Sequence, residues 1–249
     1  MKLHDPPRRI ALITDFGGGP YVGQMGLVLS ALADVPTISV VSDLPAFRPE
    51  LAAFLLPGLR HRMPKSTLYL CVVDPGVGGE RGVLAAAVDG DWLVGPDNGL
   101  LLPCIRRDPN ARVFRVDWRP EQLSDSFHGR DLFAPIAAFI VGGHLPRCTT
   151  TKTHALVGAD WPSALPKVCY VDHYGNLITG VDADQVSRDE VLRIGPHDIR
   201  FARTFCEMPP GIPFWYRNAL GLVEIAVNQR RADRLLNLSS GDDLPLPRQ

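Results

Sequence analysis

Thr67-Leu-Tyr-Leu-Cys-Val-Val73, followed at once by Asp74-Pro-Gly-Val-Gly-Gly-Glu-Arg81, decides the fold. The first seven residues form an unbroken apolar run of strand length, the pattern of a strand covered on both faces. Strands of that kind sit between helical layers. On the N-terminal side, Ile10–Thr14 is a second short apolar run, ending in Asp15-Phe16-Gly17. Tyr21–Ala33 has helical spacing with Met25, Leu29 and Leu32 on one face, and Thr37–Ser42 is rich in β-branched residues. Pro49–Arg62 reads as a helix that Pro57 kinks or ends early. On the C-terminal side, Val83–Val88 and Asp91–Val94 form a hairpin turning at Asp89-Gly90, Arg112–Asp117 is a strand, and Asp131–Val141 a helix. This alternation predicts an α/β N-terminal domain with a largely parallel sheet over residues 1–150.

The pattern changes beyond residue 145. Residues 151–166 lie within a Gly-, Pro- and Thr-containing stretch without periodicity, the composition of a linker. From 167 to 249 the apolar runs are short: Lys167–Val171, Leu177–Val181, Val191–Ile194, Ile199–Arg203, Pro213–Arg217 and Leu222–Val227, with one helix near Gln229–Leu236. That spacing predicts a smaller C-terminal β-barrel domain.

Composition excludes several classes. The 249 residues are 45% apolar and 21% charged with a net charge of −1, so no overall field draws nucleic acid or anionic membrane. The densest basic stretch, Arg230, Arg231 and Arg234, is interrupted by Asp233 and reads as a solvated helix face. Five cysteines lie scattered without metal-ligand spacing, which argues against a disulfide framework and against structural zinc. Cys71 and Cys169, inside apolar runs, read as small buried hydrophobes. The charged, proline-containing start is unlike a signal peptide, and no apolar run reaches the roughly 18 residues of a membrane span. The expectation is a cytoplasmic protein needing no metal or cofactor.

Four segments carry chemistry. Asp74 and Arg81 flank a glycine-rich loop at the carboxyl end of a buried strand, where ligands of open α/β sheets bind. A tight loop closed by a surface ion pair fits the same residues. Gly76, Gly78 and Gly82 miss the dinucleotide spacing by one residue, and no Gly-Lys-Ser/Thr marks a P-loop. Ser126-Phe-His-Gly-Arg-Asp131 opens a helix and places His128 either toward a cleft or in a structural hydrogen bond. Asp15, at another strand end, suits the two hydroxyls of a ribose. Its Asp-Phe-Gly setting lacks the catalytic loop of kinases. In the C-terminal half, Asp172-His-Tyr-Gly-Asn176 and the segment from Asn218 to Asn228 offer an acid for an ammonium and amides for a base edge. The same residues are ordinary turn formers.

In order along the chain, Thr14-Asp-Phe-Gly17, Pro20-Tyr-Val-Gly-Gln-Met25, Val73-Asp-Pro-Gly-Val-Gly78 with Arg81, Gly95-Pro-Asp-Asn-Gly-Leu-Leu-Leu102, Phe127-His-Gly-Arg-Asp131 with Ala134-Pro135, Tyr174-Gly-Asn176 and Glu224-Ile-Ala-Val-Asn228 resemble the S-adenosylmethionine hydroxide adenosyltransferases, relatives of the fluorinases and chlorinases.

 The resemblance covers nearly the whole chain. It implies an N-terminal α/β domain, a C-terminal β-barrel domain, and a homotrimer whose site lies between one subunit's first domain and its neighbour's second. It also implies a catalytic trio of Asp74, Arg81 and His128, and ribose binding by Asp15. Asn176 and the backbone near Val227 fall at the adenine edge; Asp172 and the Asn218–Leu220 turn fall at the methionine end. Glu224 is counted with these substrate-binding residues. Arg217 and Ala219 stand where similar proteins often carry Trp and Ser, and Arg230 where a glycine usually follows.

The implied reaction is hydrolysis of S-adenosyl-L-methionine to adenosine and L-methionine by attack of water at C5′. Three rivals differ from it. A halide adenosyltransferase needs an anion beside Asp74, where like charges about 4 Å apart repel by roughly 4 kcal/mol at an effective dielectric of 20. A non-catalytic adenosine or S-adenosylmethionine sensor needs Asp15 and Asn176 but not the trio. A methyltransferase needs its glycine-rich loop paired with a ribose-binding acid at the end of a second strand, and that pairing is not evident in the sequence.

Overall fold

The computed structural model describes residues 2–246. The chain forms two compact units, one of residues up to 53 with 63–160, the other of residues 54–62 with those from 161 on.

In the first unit, strands β1 (Arg9–Thr14), β2 (Thr37–Val41), β3 (Thr67–Val72), β4 (Val83–Val88), β5 (Asp91–Pro96), β6 (Arg112–Val116) and β7 (Cys148–Thr151) form one sheet in the order β2-β1-β3-β5-β4-β6-β7. Every residue of β3 is buried, as its continuous apolar run requires. The pairs β2–β1, β1–β3 and β3–β5 are parallel, whereas β5–β4, β4–β6 and β6–β7 are antiparallel. The sheet is therefore mixed rather than largely parallel. The cause is local: Asp89 and Gly90 both take positive φ (49° and 78°), and such a two-residue turn folds β5 back along β4. Strand β7 falls in a stretch without apolar periodicity because it is a polar edge strand, Cys-Thr-Thr-Thr.

Helices α1 (Pro20–Leu32), α3 (Leu102–Arg106) and α4 (Ala134–Val141) belong to this unit, and α2 (Pro49–Leu59) begins in it and ends among residues of the second. Met25 and Leu29 of α1 are buried, but Leu32, at the helix end, is 53% exposed and does not join them. Pro57 lies inside α2, which stops two residues later. Ile136, Ala137 and Ile140 of α4 join Met25, Leu29, Leu70 and Val94 in one core.

In the second unit, β8 (Leu165–Val171), β9 (Leu177–Asp182), β10 (Leu192–Ile194), β11 (His197–Phe201), β12 (Pro213–Arg217) and β13 (Leu222–Val227) form a sheet in the order β10-β11-β12-β13-β9-β8. No ladder joins β8 to β10 among the described residues, so the sheet is a curled half-barrel and not a closed barrel. Trp215, Val223, Ile225 and Leu177 fill its core together with Ala232 and Leu236 of α5 (Ala232–Leu236). Because α5 begins at Ala232, Arg230 and Arg231 precede it and do not form a solvated helix face.

None of the five cysteines is joined in a disulfide, and Cys71 and Cys169 are buried. No helix among the described residues is long and apolar enough to cross a membrane.

Candidate active site

Asp74 lies one residue, Val73, beyond the end of β3, and the loop it opens returns to Arg81 before β4. Gly78 makes this loop possible. Its φ is +78°, and a Cβ there would stand 2.5 Å from the carbonyl oxygen of Asp125, so only glycine lets the loop lie against the segment leading to His128. Asn98 braces the same strand end, its Nδ2 donating to the carbonyl of Val73 at 2.9 Å.

The loop brings Asp74, Arg81 and His128 together. Arg81 Nε donates to Asp74 Oδ1 and Oδ2 at 3.1 and 2.9 Å, and Nη2 donates to Oδ2 at 2.6 Å. The same Nη2 lies 2.7 Å from Nδ1 of His128. A guanidinium has no lone pair to offer, so Nδ1 accepts and the imidazole proton sits on Nε2. The His128 pKa is pushed down, first by burial and then by the Arg81 charge, with Asp74 pulling weakly the other way. Both charged side chains of the ion pair are largely removed from solvent. The Arg81 guanidinium also stands 5.1 Å over the ring of Phe133.

His128 leads into a π-helical turn, Gly129–Phe133, that runs on into α4. Such turns re-aim side chains and recur at functional sites. At Gly129 a Cβ would crowd Met25 Sδ at 3.1 Å and the rings of Phe127 and Phe16 at 3.2 and 3.3 Å, which holds the turn close to α1.

Asp15, at the end of β1, keeps its Oδ2 on the backbone N–H of Phe47 at 3.0 Å. Its pKa is raised, mainly by burial, with the Phe47 N–H opposing and the nearby Asp74 charge adding to the rise. Phe47 has a φ of 64°, a strained value for a bulky residue, and its ring is largely exposed. Nothing in the sequence pattern singles out Phe47.

The residues named in the second half line one cavity of about 670 Å³: Asp172, Asn176, Asn218, Leu220, Glu224 and Val227. Asn176 donates to Asp172 twice, from its backbone N–H to Oδ1 and from Nδ2 to Oδ2, each at 2.9 Å. Glu224 is buried and accepts from the Tyr216 hydroxyl at 2.6 Å and Asn218 Nδ2 at 2.9 Å. Burial raises the Glu224 pKa, while those two donors restrain the rise and Asp172 adds to it. Burial and the adjacent Glu224 raise the Tyr216 pKa, keeping its hydroxyl a donor. Asn218 Oδ1 accepts from the N–H groups of Leu220 and Leu222, both at 2.9 Å, which fixes the turn between β12 and β13. Tyr216 and Glu224 are cross-strand partners, so Tyr216 was legible once β12 was paired with β13. Phe205 is a further lining residue without a sequence signal.

Among the three departures, Arg217 is drawn onto Asp184 at 3.1 and 3.3 Å and does not line the cavity. Ala219 and Arg230 do line it. Among the described residues no group of three or more His, Cys, Asp or Glu side chains could hold a metal ion.

A mixed α/β unit with a charged cluster at its strand ends, in a chain that also carries a half-barrel with an aromatic-lined cavity, defines a two-domain ligand-binding protein. The family models for the SAM hydroxide adenosyltransferase N-terminal and C-terminal domains match residues 10–150 and 166–245. The chain is 34% identical to the (R)-S-adenosyl-L-methionine hydrolase of Thermus thermophilus, over 94% of this chain and 97% of that protein. It is also 34% identical to the (R)-S-adenosyl-L-methionine hydrolase of Salinispora arenicola, over 94% and 96%. A crystal structure of an uncharacterized conserved protein from Thermotoga maritima superposes with a TM-score of 0.78 at 25% identity, covering 94% of this chain and 98% of that one. The chain belongs to the SAM hydroxide adenosyltransferase family.

Proposed function

We propose that this protein hydrolyses S-adenosyl-L-methionine to adenosine and L-methionine. The observation that carries the reading is the joined Asp74–Arg81–His128 cluster. The names of the curated relatives support it and specify the (R) sulfonium.

Chemically, the bond from C5′ to sulfur breaks, its electron pair stays on sulfur, a water oxygen bonds to C5′, and that oxygen gives up one proton, in the end to solvent. Sulfur leaves as a neutral thioether, so neither a general acid nor a Lewis acid is needed there. The demand falls on water, a poor nucleophile with a pKa of about 15.7. Asp74 orients that water. Among the described residues its Oδ1 accepts one bond, from Arg81 Nε, and keeps a lone pair for a water proton. Arg81 fixes the carboxylate in a two-nitrogen grip, and neutral His128 holds Arg81. Positioned bases of this kind contribute on the order of 10²–10⁴-fold, and alignment at C5′ adds to that.

Arg81 offsets the Asp74 charge, so bare repulsion is a weaker barrier to halide than the carboxylate alone. Hydrogen bonding discriminates instead. A carboxylate acceptor orients a water, which donates, and not a halide, which cannot. An ordered cluster of this kind has no use in a passive sensor.

Asp15 takes the ribose hydroxyls, Asn176 and the Val227 backbone the adenine edge, and Asp172, Asn218, Leu220 and Glu224 the remainder of the substrate. The working form is a cytoplasmic homotrimer with each site shared between neighbouring subunits. Chelator-treated protein, given each sulfonium epimer of S-adenosylmethionine, should release adenosine and methionine in equal amounts. Formation of S-adenosylhomocysteine, or no product from either epimer, overturns the reading.

A further inference from the structure

The charges around the half-barrel cavity are matched, with one exception. Asp172 is held by Asn176, and Glu224 by Tyr216 and Asn218. Arg231 is bound to Asp233 through two nitrogens, at 3.0 and 2.7 Å, and to the carbonyl of His173. Arg230 lines the same cavity, is exposed, and forms no ion pair among the described residues.

Its placement is built. Gln229 takes a φ of +57°, a costly conformation for a residue with a side chain, and Arg230 N–H closes the turn on the carbonyl of Val227 at 3.2 Å. The Arg230 side chain then lies over Gly211. A Cβ there would stand 3.6, 3.7 and 3.8 Å from its Nε, Cζ and Cδ, so the group meets Gly211 broadside and not end-on. A guanidinium that grips a carboxylate presents its edge, the fork of N–H groups. One seated on a backbone by one face offers the other face, which stacks on planar rings, nucleic-acid bases included. The neighbouring lining is apolar and aromatic, with Phe205, Tyr216, Ile178 and Val227, the surroundings of a flat and weakly polar group.

We infer that Arg230 caps the face of the substrate's purine ring. The inference rests on the nucleoside reading given above and adds a base-binding residue to it.

Calorimetric titration of adenosine into the full-length protein, and into Arg230→Gly and Arg230→Lys, tests it. Both variants should bind adenosine about two- to thirty-fold more weakly, the range of a cation stacked on a ring. Lysine keeps the charge but lacks the plane. Unchanged affinity in Arg230→Gly, or full affinity in Arg230→Lys, overturns the capping role while leaving the nucleoside reading in place. A parent protein without affinity for adenosine overturns both.

Discussion

Nη2 of Arg81 stands 2.7 Å from Nδ1 of His128, so one arginine nitrogen fixes both the tautomer and the charge of the histidine. Protonating Nδ1 would set two donors against each other.

The first consequence is a pH dependence. An unfolded histidine titrates near 6.5, and the folded ring lies lower because of burial and Arg81. Between the two values the unfolded chain binds the extra proton. The stability from this group is therefore complete above about 6.5 and is lost as pH falls through the folded value. Proton-detected titration of the His128 ring should give a midpoint below that of free histidine. A midpoint at or above it contradicts the Arg81 hydrogen bond.

Arg81→Lys keeps one positive charge but cannot hold Asp74 through two nitrogens and His128 through a third bond. Losing hydrogen bonds to a charged group is worth about 1.5–3 kcal/mol, or about ten- to a hundredfold in kcat. Steady-state kinetics should show that fall. A lysine variant with parental kcat would show that charge alone suffices.

The shared-site reading predicts complementation. His128→Ala alters the first unit and Asn176→Ala the second, so each protein alone should be nearly inactive. Co-refolded mixtures should recover part of the parental rate through sites built from one intact unit of each. Mixtures no more active than the separate variants would place each site within a single chain.

Much of this was legible in the sequence, for identifiable reasons. The run from Thr67 to Val73 is apolar at every position, and a strand buried on both faces has no other pattern. The antiparallel part of the first sheet was signalled by Asp89-Gly90, but the extension through β6 and β7 depends on pairings distant in sequence. Cys148–Thr151 hid because an edge strand does not need an apolar face. Closure of the second sheet depends on its outermost strands, β8 and β10, which no local pattern constrains. The motif residues were found by type and spacing. Phe47 and Phe133 were not, since one acts through its backbone N–H and the other through a ring beneath Arg81. Arg230 stood out only as a departure from similar proteins, and its place on the cavity needed the turn at Gln229.

Single-turnover rates at saturating S-adenosylmethionine, for Asp74→Asn beside Asp15→Asn, bear most directly on the chemistry. Asparagine keeps the shape of Asp74 but turns one acceptor oxygen into a donor facing Arg81 or the water. The bound rate should fall by at least about a hundredfold, the low end for a positioned base. Asp15→Asn should weaken binding through the ribose more than it slows the bound step. An Asp74→Asn protein that turns over as fast as the parent would mean that this carboxylate does not orient the attacking water.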